Sequence, residues 1–176
     1  MNERTIYTIG HGKRTRDECL DLLKSNGITK LVDVRAFPNS RTNPQFNELD
    51  FSDYLKDHGI SYRWMGDTIG GRKSKQEFSF LHTALRVVAF RNYAGYMATE
   101  PWQTGIAELC KEQGTIAYMC SETLWWRCHR RMISDYLVLR GWTVFHLGIK
   151  KNELVEHTPW DIVRVTESGM LVYDQD

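Results

Sequence analysis

The sequence predicts an α/β fold: three layers, in which a mostly parallel sheet of about five strands is flanked by helices, with a C-terminal hairpin. Three observations carry that expectation. Short β-prone runs alternate with amphipathic segments from Thr5 to Leu147. Glycines at 27, 59, 114 and 141 stand just past the helical stretches, where a chain leaving a helix needs a positive φ. Two further β-prone runs in the tail are joined by Glu167-Ser168-Gly169, a hairpin signal. A length of 176 residues suits one domain over residues 1–176, with no repeat, low-complexity segment or linker to divide it.

Thr5 to Ile9 is the first strand, and it stops at Gly10-His11-Gly12, where two glycines let the backbone approach a ligand closely. From Thr15 to Asn26, Cys19, Leu20, Leu22 and Leu23 form a helical stripe with Thr15 as N-cap and Glu18 three residues on, so Cys19 is expected in the core. Ile28 to Val34 is the second strand, closing on Asp33-Val34-Arg35. The stretch from Ala36 to Phe46 holds two prolines and several Asn and Ser residues, which exclude a long helix. Long ordered loops in compact domains usually bind something, so Arg41 and Asn43 are expected ligand contacts.

Phe51 to His58 reads as a helix stopped by Gly59, and Ile60 to Met65 as a third strand running into Gly66 and then Gly70-Gly71-Arg72. Lys73 to Gln76 is polar, and Phe78 to Tyr96 is aromatic-rich and helical in part. Trp102 to Gln113 is an amphipathic helix with Cys110 on its apolar face. Thr115 to Met119 is a buried strand that opens into a loop carrying Cys120 and Glu122. Met132, Ile133, Tyr136 and Leu137 mark the next helix, within Arg127 to Arg140. Trp142 to Leu147 is the fifth strand, and Asp161–Thr166 with Met170–Tyr173 form the hairpin.

A net charge of +1 gives no global basic field to hold nucleic acid or a membrane surface, so an anion site must come from local Arg clustering. Met-Asn-Glu-Arg is too polar for a secretory leader, and no apolar run approaches the roughly 20 residues that span a bilayer. A soluble, cytoplasmic protein with no membrane partner is expected. The four cysteines follow no C-x-x-C pattern, so reduced thiols are expected as well.

Ligands of open parallel sheets bind outside the carboxyl ends of the strands. That rim carries His11, Asp33, Arg35, Gly71, Arg72, Cys120 and Glu122, with Cys128, His129 and Arg130 at the adjoining helix. Guanidinium groups, glycine-loop amides and a helix N-terminus together describe an anion pocket for phosphate, sulfate or carboxylate. The same field favours the thiolate of Cys120, against which Glu122 would work unless it orients an Arg or His. Blander readings stand beside these: Cys120 and Cys128 as packing, Asp33 with Arg35 as a structural ion pair, and Trp125 and Trp126 as packing. His58, His82, His146 and His157 show no chemical partner in the sequence. Cys120, Cys128 and His129, with His11 or Asp33, are metal-ligand types, but C-x7-C-H matches no common zinc spacing, and no metal is assigned.

The chain resembles the family called domain of unknown function 488 in six ordered motifs: Tyr7-Thr8-Ile9-Gly10-His11, Leu31 through Arg41, Asn43-Pro44-Gln45-Phe46, Gly70-Gly71-Arg72, Tyr93-Ala94-Gly95-Tyr96-Met97, and Cys120-x-Glu122-x5-Cys128-His129-Arg130. The resemblance runs to about Leu147 and marks the rim residues together with Arg41. His157-Thr158 stands where the family more often has His-Pro. A weaker likeness joins the chain to rhodanese-type sulfurtransferases and Cys-dependent phosphatases, which also pair an Asp-x-Arg with an active Cys at strand ends. The loop here lacks their Gly-rich cradle, and Cys120-x6-Arg127 is one residue longer than the phosphatase Cys-x5-Arg.

Two functions follow as expectations. One is an enzyme on a phosphorylated small molecule or nucleic-acid end, with Cys120 as nucleophile, Glu122, His11 and His129 as the other catalytic groups, and Asp33, Arg35, Arg41, Asn43, Gly71, Arg72, Cys128 and Arg130 holding the anion. The other is a non-catalytic module that binds the same anionic ligand, or a metal-binding protein using Cys and His. No motif assigns a cofactor.

Overall fold

Thr15 caps the first helix as its neighbours require: its hydroxyl accepts the Glu18 N–H at 3.1 Å, and the Glu18 carboxylate accepts the Thr15 N–H at 3.0 Å. That helix, α1 (Arg16–Ser25), follows strand β1 (Thr5–Gly10) and leads into β2 (Lys30–Asp33). The structure, a computed structural model, describes residues 4–176. Helix α2 (Glu48–Asp57) connects β2 to β3 (Ser61–Trp64), and α3 (Gly66–Ile69), α4 (Val88–Tyr96) and α5 (Glu100–Cys110) connect β3 to β4 (Ile116–Cys120). After β4 come α6 (Arg130–Leu139), β5 (Thr143–Lys150), β6 (Glu153–Glu156) and the strands β7 (Val163–Val165) and β8 (Leu171–Tyr173).

The main sheet has the order β3-β2-β4-β1-β5-β6, with β1 to β5 parallel and β6 antiparallel to β5. Successive side chains of a strand leave opposite faces, and two cores result. Tyr118 of β4 and Ile6 of β1 pack with α3 to α6 and the β7–β8 hairpin, while Ala117, Met119 and Ile9 pack with α1 and α2. This is the expected α/β layering, with helices on both faces.

Three details differ from the sequence reading. β5 runs to Lys150, and a sixth strand, β6, folds back on it through a turn in which Asn152 has φ of 59°. β6 is an exposed edge of the sheet with no apolar alternation to announce it, so only the Asn in the turn signalled the hairpin. Helix α6 begins at Arg130, because Trp125–Arg127 forms a separate 3-10 turn, and Cys110 is only half buried at the last residue of α5. Among the described residues, no helix is long and apolar enough to cross a membrane.

Candidate functional site

Parallel register puts Gly10 beside Cys120 and Asp33 beside Met119, so the ends of β1, β2 and β4 share one rim. The pairing continues past the strands, with the His11 N–H on the Cys120 carbonyl and the Gly12 N–H on the Ser121 carbonyl, each at 3.0 Å. Only a glycine fits at position 10, because a Cβ there would lie 1.9 Å from the Glu122 carbonyl oxygen.

Arg130, the first residue of α6, is fully buried. Its Nε donates to Cys120 Sγ at 2.9 Å, its Nη1 to Thr8 Oγ1 at 2.8 Å, and its Nη2 to the carbonyls of Glu122 at 2.6 Å and Thr123 at 3.3 Å. None of these acceptors is a carboxylate. A buried cation needs an anion, and what lies against this one is a pair of thiols whose sulfurs are 2.8 Å apart. Two thiols in contact share one ionisation. Burial pushes the Cys128 thiol up, but the hydrogen bond with Cys120, the Arg130 charge and the Arg130 backbone N–H, 3.4 Å from Cys128 Sγ, outweigh it and bring its pKa to about 7. Burial and the bond to Cys128 hold Cys120 well above the ordinary thiol range.

The thiolate is therefore favoured at Cys128 and not at Cys120. Cys120 Sγ sits 3.5 Å from the Glu122 carbonyl oxygen, which repels a thiolate, whereas Cys128 lies just before the amino end of α6, where a helix stabilises negative charge.

His129 turns a ring nitrogen towards Cys128. Its Nε2 is 2.9 Å from the Val34 carbonyl, which can only accept, so Nε2 carries the hydrogen and Nδ1 presents its lone pair 3.4 Å from Cys128 Sγ. Burial lowers the His129 pKa and keeps the ring neutral, as a proton acceptor must be. The ring stands edge-on to Tyr93 with centroids 5.0 Å apart. A Cβ at Gly71 would come within 3.0 Å of its Nδ1. Gly71→Ala is accordingly expected to push the ring off Cys128 and slow iodoacetamide alkylation of that residue at pH 7 by about tenfold, with the fold retained by circular dichroism. A wild-type rate would remove His129 from this role.

Beside the pair lies an open cavity of about 200 Å³, whose lining includes Arg35, Phe37, Gly71, Arg72, Tyr93, Glu122, Arg127, Cys128 and His129. Arg72 and Arg127 are exposed on its wall, and the Arg72 guanidinium lies 5.4 Å from the centre of the Phe37 ring. Arg72 holds φ of 60°, a costly conformation for a residue with a side chain.

Arg35 is committed to the protein. It donates from Nε to both Asp33 oxygens at 2.9 and 3.1 Å, and from Nη2 to Asp33 Oδ2 at 2.6 Å and the Phe46 carbonyl at 2.8 Å. Tyr62 also donates its hydroxyl to Asp33. Asp33 is thus a buried clamp for the loop after β2, the structural ion pair that the sequence allowed.

His11 does not fit the proton-moving role expected of it. Its Nδ1 donates to the Gly12 carbonyl at 2.8 Å, leaving Nε2 to accept from Arg35 Nη1 at 3.3 Å, and burial lowers its pKa to about 4. It stacks on Phe46 at 4.3 Å and supports Arg35.

The Glu122 carboxylate accepts from the Leu124 N–H at 3.2 Å and orients neither Arg nor His; its backbone carbonyl is the part that reaches Arg130. Arg41 is exposed and, like Asn43, lies outside the cavity lining. The loop bearing them is shaped by internal bonds, the Thr42 and Asn43 N–H groups both meeting Ser40 Oγ.

Among the described residues, no group of three or more His, Cys, Asp or Glu side chains is placed to hold a metal ion. The thiols face a guanidinium, which repels a cation. Sequence reasoning missed Arg127 and Tyr93 in the cavity wall and Thr8 beneath Arg130. A hydroxyl amid the apolar positions of β1 was the available signal for Thr8.

A family model described as Domain of unknown function DUF488 matches residues 15–137. No curated protein and no solved structure matches the chain, and the likeness to rhodanese-type and phosphatase-type domains gains no support.

Proposed function

The chain belongs to the family described as Domain of unknown function DUF488, and from the geometry of its site we propose that it is a thiol-dependent enzyme acting on a small anionic substrate of the phosphate-ester class. Cys128 is the nucleophile: as its S–P bond forms and the P–O ester bond breaks, the thiol proton passes through His129 Nδ1 to the leaving oxygen, and water activated at the same nitrogen then cleaves the S–P bond and releases phosphate. Arg130 lowers the cost of ionising the pair, its Nε donating to Cys120 Sγ and its charge and backbone N–H acting on Cys128, to which Cys120 is joined by the sulfur contact. Arg72 and Arg127 meet the anion at the cavity wall, and Arg35 and Gly71 shape its floor and its approach to His129.

The observation that carries this reading is a fully buried guanidinium whose side-chain partners are a thiol and a hydroxyl and no carboxylate. Such an arrangement is stable when sulfur supplies the negative charge.

Iodoacetamide labelling across pH, with and without inorganic phosphate, tests it. Cys128 should react with a midpoint near 7, phosphate in the millimolar range should protect it, and Arg72→Ala should weaken that protection about tenfold through loss of one charge-assisted contact. Protection of a thiol no more acidic than free cysteine would favour the non-catalytic binding module. No protection at all would remove the anion site.

A further inference from the structure

Thr8, His146, His157 and Asp135 are polar side chains at the centre of the fold, all 3% exposed or less. They come from β1, β5, the segment after β6, and α6, and they form one unbroken chain. His157 Nε2 lies 2.6 Å from Asp135 Oδ1, His146 Nε2 lies 2.9 Å from His157 Nδ1, and Thr8 Oγ1 lies 2.7 Å from His146 Nδ1. The last link is Arg130 Nη1, which donates to Thr8 Oγ1 at 2.8 Å.

With His157 neutral, the bonds take one direction from the carboxylate outward. Asp135 accepts, so His157 carries its hydrogen on Nε2 and leaves Nδ1 to accept from His146 Nε2–H. His146 Nδ1 then accepts the Thr8 hydroxyl hydrogen, and a Thr8 lone pair is left facing Arg130. Burial, His157 and Arg130 together lower the His146 pKa to about 2, which keeps that ring neutral.

The far end is anchored as firmly. Tyr173 donates its hydroxyl to Asp135 Oδ2 at 2.8 Å, and the Trp160 N–H donates to Oδ1 at 3.1 Å. Trp125 stacks on His146 with centroids 4.4 Å apart, and the Arg131 guanidinium lies 3.4 Å from the centre of the Trp160 ring. Apolar side chains would fill this space at lower desolvation cost, so a fully satisfied polar chain ending on one guanidinium calls for a role at that end.

We infer that Thr8, His146, His157 and Asp135 are positioning residues that hold the Arg130 guanidinium against the thiols of Cys120 and Cys128, an inference that rests on the thiolate reading above. Thr8 keeps an oxygen lone pair aimed at Nη1, and the two histidines and Asp135 prevent that hydroxyl from turning. With Nη1 and Nη2 pinned, Nε is directed at Cys120. The other titratable and charged groups around Cys128 are Cys120 from β4, His129 beside it, Tyr93 from α4, and Arg35, Arg72, Glu122 and Arg127 of the cavity lining, and none of these is altered by a change at Thr8 or His157.

The test is the pH midpoint of Cys128 alkylation by iodoacetamide in the full chain, read together with thermal melting. Thr8→Val, close in shape but without the hydroxyl, is expected to raise the midpoint by about one pH unit and slow alkylation at pH 6 about tenfold. Thr8→Ser restores the wild-type midpoint. His157→Leu, at the distant end, produces a similar rise; should it fail to fold, His146→Gln breaks the chain at Thr8 instead. A folded Thr8→Val or distal variant that melts earlier yet keeps the wild-type midpoint overturns the inference, since a merely structural chain predicts that result. A wild-type midpoint at or above that of free cysteine overturns the thiolate reading itself, and is seen before any variant is made.

Discussion

Cys128→Ser is expected to lower iodoacetamide incorporation at pH 7 by about a hundredfold, because it removes the one acidic thiol of four. A thiol with a pKa of about 7 is half ionised at that pH. Burial pushes Cys19 up to about 12 and also raises Cys110 and Cys120, so each of the others presents a small thiolate fraction. Cys120→Ser should behave differently. It removes one neighbouring sulfur but leaves Cys128 beside the Arg130 N–H and His129 Nδ1, so labelling should persist within about tenfold of wild type. Peptide mapping decides between the two residues. Label found on Cys120 in the wild-type protein would reverse the assignment of nucleophile and partner.

Arg130→Met should have the second largest effect, on stability and reactivity together. Methionine fills much of the volume but donates to nothing, so the Thr8 lone pair that faced the guanidinium and the carbonyls of Glu122 and Thr123 lose its hydrogen bonds in the interior. A loss of about 3 kcal/mol in unfolding free energy at pH 8.5 is expected. The thiol should return to the range of an ordinary or buried cysteine, which at pH 7 means about fiftyfold slower alkylation. The wild-type stability profile carries its own signature. A thiol whose folded pKa is depressed contributes stability that is fully present above its unfolded pKa, near 8.5, and lost as pH falls through the folded value of about 7. Urea midpoints measured between pH 7 and 8.5, above the range in which the buried histidines His11, His129 and His146 add their own rise, should increase with pH in wild type, and that increase should be smaller in Arg130→Met. A parallel slope in both proteins would show that Arg130 does not hold the thiolate.

Several parts of this arrangement were legible beforehand because they depend on neighbours in the chain. The capping box of Thr15 and Glu18 needs only a three-residue spacing, and Cys120 at the end of β4 follows from the apolar run before it. His129 belonged in the site on the same local grounds. Other parts were not legible. His146 and His157 carry no local signal because their partners, Thr8 and Asp135, lie 138 and 22 residues away. His11 and His129 look alike in sequence. One leaves its Nε2 to accept from Arg35 and the other presents a free Nδ1 to a thiol, a difference set by which backbone carbonyl each ring meets.

The amino-acid order alone determined the alternation of strands and helices, the glycine stops, and the gathering of sulfur, imidazole and guanidinium groups on one rim. Those features are periodic or short-range, and parallel topology carries them to a common edge. Tertiary structure alone decided which of two adjacent thiols lies at the helix end, which histidine turns a bare ring nitrogen towards it, and that Arg130 is buried without a carboxylate. Each of those outcomes depends on the direction of a single hydrogen bond between segments far apart in the chain, and on how much water the packing around it excludes.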